Sequence, residues 1–145
     1  MVAGTSTSET DIRAAGLRCT AQRVAVLDVL RAKRQHLRAD EVAQVVGDRL
    51  GVVSVQAVYD ALAALVEAGL ARRIQPLGGA ALFEAHYGDN HHHLVCQSCG
   101  VALDVDCASA VAPCLEPSET HGFVIYETEV VFRGTCSSCR SRTSA

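Results

Sequence analysis

The sequence predicts an α+β protein in two parts, on three observations. Through residue 69, apolar side chains recur at helical spacing, in segments opened by capping residues such as Thr20 and Ser54. Residues 70–85 then read as a short hairpin. Past residue 85 the pattern turns to strands punctuated by two Cys-x-x-Cys pairs, so the expected boundary separates residues 1–85 from residues 86–145.

After a short polar tail, "DIRAAGLR" at residues 11–18 reads as a brief helix broken at Gly16. Thr20 can cap a second helix running to about Lys33, with Val26, Leu27, Val29 and Leu30 as its apolar stripe. A third helix follows the loop around His36. Val42, Val45, Val46 and Leu50 keep helical spacing there, and Asp40 and Glu41 suit the positive end of its dipole. Ser54 is a good N-cap for a fourth helix, with Val58, Leu62, Leu65 and Val66 on one face and Gly69 as its stop. "LARRIQPLGGAALFEA" supplies two short strands turning at Gly78 and Gly79. Helices followed by such a hairpin describe a winged helix-turn-helix domain.

In that architecture "SVQAVYD" opens the helix that enters the major groove. Its exposed face would offer Ser54, Gln56, Ala57, Tyr59 and Asp60. Gln pairs with adenine, Ala and Tyr pack on a thymine methyl, and Arg18, Arg72 and Arg73 are the cations expected at phosphate. Residues 1–83 hold ten Lys and Arg against eight Asp and Glu, and residues 84–145 hold three against eight. The slight basic bias of the first part permits nucleic-acid binding without requiring it. A small helical subdomain with no such role fits the same pattern, because helix-turn-helix geometry is weakly encoded.

Composition narrows the class. A chain of 145 residues, 49% hydrophobic and 20% charged, can fold as one ordinary domain or two small ones and is not disordered. No apolar run approaches the ~20 residues of a membrane span, and "MVAGTSTSET" lacks the basic and apolar regions of a secretory signal. The expected location is the cytoplasm, without a membrane partner. There, seven cysteines point to metal binding or redox chemistry before structural disulfides.

In "VALDVD", Val101, Leu103 and Val105 alternate with Ala102, Asp104 and Asp106, which puts both aspartates on one face. "FVIYETEVVF", residues 123–132, is the longest β-like run. Between them, "CASAVAPCLEPSETHG" holds Pro113 and Pro117, which limit any helix to a turn or two. Two strands bury too little surface alone, so pairing with a second copy is expected. A homodimer also suits a helix-turn-helix protein reading a palindromic DNA duplex.

Cys96 with Cys99, and Cys136 with Cys139, are two knuckles that together can hold Zn2+ in a tetrahedron of four thiolates. Such a zinc would be structural, tying the C-terminal segment to the start of the strands. Unligated thiols or a redox pair are the alternative. Cys107 and Cys114, like Cys19, read as plain small residues, with a thiol switch at Cys107 and Cys114 as the competing reading.

With four thiolates on zinc, the triplet His91, His92 and His93 is left for another role. In an extended segment His91 and His93 share a side while His92 points away. Imidazole nitrogens joined by a carboxylate such as Asp104 suit Fe2+, Mn2+, Zn2+ or Ni2+. A zinc metalloenzyme with an open coordination position could use the same ligands. Against it, no H-E-x-x-H or H-x-E signature and no carboxylate placed as a general base accompany them.

Taken in order, "GLRCTAQRVAVLDVL", "HLRADEV", "VSVQAVYDALAALVEAGL", "NHHHLVCQSCG" and "GTCSSC" resemble the ferric uptake regulator family of bacterial metal-dependent repressors over nearly the whole chain. "QAVYD", "GDNHHHLVC" and "DVDCA" resemble its actinobacterial branch of catalase-gene regulators, which includes iron-bound, peroxide-responsive repressors. The resemblance implies a winged-helix domain, a hinge, and an α/β dimerisation domain. It implies structural zinc on Cys96, Cys99, Cys136 and Cys139, and a regulatory metal on His36, Glu84, His91, His93 and Asp104. Glu84 stands where peroxide-sensing members have aspartate, whereas Asp104 matches them, so these two positions point different ways. A further family site has His92 and His121 available here, with Glu127 and Glu129 as substitutes for absent ligands. The Pro-broken segment before His121 departs from the longer dimerisation helix of relatives.

The resemblance also implies a mechanism. Metal joining the two domains would favour the DNA-binding form, and peroxide acting at bound iron would oxidise His36 or His91 and release the operator.

Overall fold

Thr7 accepts the Thr10 N–H on its Oγ1 and so starts α1, Ser8–Ala14, earlier than the expected residue 11. The computed structural model describes residues 7–33, 35–76, 79–86, 91–106, 115–125 and 128–143. Thr20 caps α2, Ala21–Ala32, by accepting the Arg23 N–H at 3.2 Å. At the start of α3, Ala39–Leu50, the Glu41 carboxylate accepts the Arg38 N–H at 2.8 Å. Ser54 caps α4, Val55–Glu67, through the Ala57 N–H at 3.1 Å. Gly69, at φ +77, then lets the Leu70 N–H reach back to the Leu65 carbonyl and closes the helix.

These helices and three short strands make the first of two units, Met1–Gln75 with Gly79–Tyr87. Strands β1 (Leu37–Arg38), β2 (Ala71–Ile74) and β3 (Leu82–Ala85) pair antiparallel in the order β1-β3-β2. Strand β1 was not expected from the sequence: two residues carry no period, and it exists only by pairing with β3. Of the turn expected at Gly78 and Gly79, Gly78 lies outside the described residues and Gly79 is at a bend. Val26, Leu27, Leu30, Val42, Val46, Val58, Leu62, Leu65 and Phe83 form one continuous buried cluster. Val45 and Leu50, expected on the buried stripe of α3, are exposed instead. Val42 and Val46 lie one turn apart on the line facing the core, and Val45 and Leu50 flank it outside the strip that neighbouring helices cover.

The second unit comprises Pro76–Gly78 and Gly88–Ala145. Its strands are β4 (His91–Cys96), β5 (Ala102–Asp106) and β6 (Val131–Gly134), followed by α5 (Ser137–Thr143), which the sequence did not suggest. The order is β5-β4-β6, with β5 antiparallel and β6 parallel to β4. Of the described residues in the run expected as a strand over residues 123–132, Val131 and Phe132 are strand. Phe123 and Val124 are exposed, and a β-like composition makes a strand only where a neighbour supplies the ladder. Within these strands the buried apolar side chains are Val95, Cys96 and Ala102, while Val101 and Leu103, expected to share an apolar face, stay exposed. Among the described residues, no single helix is long and apolar enough to cross a membrane.

Candidate functional site

Potential metal ligands gather in three places. The first is in unit two, where Cys96 ends β4, Cys99 sits in the following turn, and Cys136 and Cys139 flank the start of α5. Their four sulfurs all lie within 4.8 Å of one another, and the Cys99–Cys136 pair is at 3.8 Å. Four thiolates at ~2.3 Å from a tetrahedral zinc would stand ~3.8 Å apart, so the cluster is of the right size for Zn2+. Backbone N–H groups of Cys136 and Cys99 hold the Cys96 thiol down to about 5, favouring thiolate. Cys139 is pushed up to about 12, chiefly by its hydrogen bond with Cys136 and then by burial. Sulfurs this close resist carrying four negative charges without a cation among them.

The second place is in unit one. Extending the antiparallel register of Leu37 with Phe83 puts His36 opposite Glu84, and His36 Nε2 lies 2.9 Å from Glu84 Oε2. Both side chains are nearly buried, at 9% and 6% exposure. A carboxylate and an imidazole so removed from water need each other or a cation.

The third is again in unit two. His91 and His93 alternate on β4 and present their rings on one side, with centroids 5.0 Å apart. Asp104 on β5 is the register partner of His93. Its Oδ1 lies 3.7 Å from His91 Nε2 and 3.6 Å from His93 Nε2. Those gaps are too long for hydrogen bonds and near the ~3.3 Å between ligands bound at ~2.0 Å in a tetrahedral site. His92 points away, and its Nδ1 accepts the Val130 N–H at 3.3 Å. His121 is exposed on a loop, 3.6 Å from Glu119. Glu129 stands 3.9 Å from His93 Nδ1. Cys107, Cys114 and Glu127 lie outside the described residues.

On the surface of unit one, the chain bends by 107° between α3 and α4, within the range of a helix-turn-helix. Ser54, Gln56, Tyr59 and Asp60 are exposed on α4 and Ala57 is half-buried. Arg18 and Arg73 are exposed as well. Arg72 is half-buried, with its guanidinium 3.0 Å from His86 Nε2, whose other ring nitrogen meets the Gly69 carbonyl at 2.9 Å. Sequence reasoning missed this His86 contact, since it depends on strand register. It also missed the 2.9 Å hydrogen bond from Gln56 Nε2 to Asp60 Oδ1, although their i,i+4 spacing was legible.

A model of the ferric uptake regulator family matches residues 14–133. The chain is 50% identical over 128 residues to the transcriptional regulator FurA of Mycobacterium tuberculosis, covering 88% of this chain and 86% of that one. It is 49% identical to ferric uptake regulation protein 2 of Mycolicibacterium fortuitum, over 88% of this chain and 89% of that one. Among solved structures, the Pseudomonas aeruginosa ferric uptake regulator with manganese is 26% identical with a TM-score of 0.71, over 90% of this chain and 98% of that one. The Campylobacter jejuni peroxide stress regulator is 25% identical with a TM-score of 0.66, over 88% and 93%.

Proposed function

The chain belongs to the ferric uptake regulator family of metal-dependent, DNA-binding transcriptional repressors and is not an enzyme, and from that premise we propose an iron-linked, peroxide-responsive repressor of oxidative-stress or metal-homeostasis genes. It acts in the cytoplasm as a homodimer on a palindromic operator. Residues 1–85 form the DNA-binding domain and residues 86–145 the dimerisation and metal-binding domain. α4 enters the major groove, with Gln56, Ala57 and Tyr59 at base edges and Arg18 and Arg73 at phosphate.

Zinc on Cys96, Cys99, Cys136 and Cys139 is the structural metal. The regulatory metal takes His36 and Glu84 from one unit and His91, His93 and Asp104 from the other. The observation that carries this reading is that His36 and Glu84 are too few to hold a divalent metal by themselves, whereas His91, His93 and Asp104 offer two imidazoles and a carboxylate with coordination positions left open for them. A bound divalent metal would supply the positive charge that draws these sets together and, as iron, the electrons for reducing peroxide. His36 and Glu84 then contribute binding free energy only in the arrangement that brings both sets together, so metal shifts the population toward the DNA-binding form. An imidazole that gains oxygen binds metal poorly, and the operator is released. The likeness to a peroxide stress regulator and the aspartate at position 104 support the peroxide reading.

The test loads the zinc protein with iron(II) and adds peroxide, following DNA binding alongside mass spectrometry of His36, His91, Cys107 and Cys114. Loss of binding with oxygen on His36 or His91 is expected. Oxidation at Cys107 and Cys114 with intact histidines would replace it by a thiol switch, and retained binding would leave a metal sensor without peroxide response.

A further inference from the structure

We propose that Asp60 is the positioning residue for base readout: it fixes the carboxamide of Gln56 so that α4 selects adenine at one position of each half-site. The inference rests on α4 being the DNA-reading helix. Both residues lie on its exposed face, one turn apart, with Gln56 Nε2 donating to Asp60 Oδ1 at 2.9 Å.

A carboxylate only accepts hydrogen bonds. Of the two flips open to the Gln56 amide, Asp60 therefore stabilises the one that turns an N–H toward it and the carbonyl oxygen away. The second N–H and Oε1 remain for DNA. One donor beside one acceptor is the pattern that meets N7 and the N6 amino group of adenine. Without Asp60 the amide samples both flips and several rotamers, and pays for ordering when it meets the base. The carboxylate carries an opposing cost, because a negative charge on this face repels phosphate at every sequence alike. Positioning acts at one base pair and repulsion at all of them, so the net effect of Asp60 is discrimination, not affinity.

The experiment enriches DNA from a pool of randomised duplexes with the zinc-loaded chain plus Mn(II), comparing wild type with Gln56→Ala, Asp60→Ala and Asp60→Asn. All four proteins are checked for equal helical circular dichroism. Wild type should enrich adenine at one position per half-site, and Gln56→Ala should lose roughly tenfold of that preference. Asp60→Ala should lose roughly 2- to 10-fold at the same position, the span associated with immobilising one long side chain. It should also bind random duplex more tightly. Asp60→Asn carries a donor as well as an acceptor and so favours neither flip of the Gln56 amide; it should lose adenine preference as Asp60→Ala does, while sharing the gain on random duplex. Undiminished adenine preference in Asp60→Ala or in Asp60→Asn overturns the proposal. A lost preference for cytosine would make Asp60 itself the reader and overturn it too. Wild type that enriches no sequence would instead defeat the assignment of α4 as DNA reader, and this inference with it.

Discussion

In the first unit α2, α3 and α4 close on Val26, Leu27, Leu30, Val42, Val46, Val58, Leu62 and Leu65, all fully or almost fully buried. The strands of the second bury Val95, Cys96 and Ala102, and leave Leu94, Leu103 and Phe132 between 44% and 54% exposed. Each buried Leu or Val contributes about 1.5–3 kcal/mol, so the helical unit has an ordinary hydrophobic source of stability. Among the described residues, the strand unit has a much smaller one. What it has instead is four sulfurs at zinc spacing and an uncovered apolar face, so its folding should depend on metal and on a second copy. On the proposed function that division suits a sensor: the unit assigned to DNA reading would stay folded whatever the metal status, while zinc would hold the strand unit so that it presents the regulatory ligands.

The largest expected effect comes from removing the zinc ligands. Cys96→Ser, or a strong chelator, should unfold the second unit, because structural zinc supplies roughly 10–16 kcal/mol of apparent free energy in small domains. Hydrogen exchange should show β4, β5 and β6 unprotected while α2 and α4 keep their protection; simultaneous loss in both units would erase the contrast. Next in size, Leu62→Ala should cost the first unit about 2–5 kcal/mol in denaturant unfolding and leave bound zinc unchanged. Ser54→Ala removes the cap of α4 and should cost about 1 kcal/mol, read as a lower midpoint for the same unit.

The smallest effect is a proton count. In the folded unit backbone N–H groups hold the Cys96 thiol near 5, but these are lost when zinc removal unfolds the unit, and Cys96 then returns to the ~8.5 of free cysteine and is protonated at pH 7. Calorimetry in buffers of differing ionisation enthalpy should therefore find that proton released when zinc is added at pH 7 and the unit refolds. The release should fall as pH rises through about 8.5, because Cys96 then already begins as a thiolate.

Most of the first unit was legible because its signals are local. Thr20 and Ser54 cap the helices they were expected to cap, and the stripe from Val58 to Leu65 is buried. Thr7 was overlooked as a cap, which placed the first helix too late. The second unit was less legible because its order is non-local: β6 runs parallel to β4 from the far side of a Pro-containing segment, and no periodicity announces that register. The two Cys-x-x-Cys pairs and the alternation of His91 with His93 could be read from spacing alone. The pairing of His36 with Glu84 could not, since it depends on a two-residue strand, and only the family resemblance drew attention to those positions.

The most direct test of the account measures DNA affinity and bound metal together, as Mn(II) is added to zinc-loaded wild type and to His93→Ala. Wild type should gain roughly 10- to 100-fold in affinity for its selected duplex, in the range typical of coupled sites. His93→Ala should keep its zinc and its fold and show no gain. An equal gain in His93→Ala, or full affinity in wild type carrying zinc alone, would contradict the assignment of one metal to structure and another to sensing.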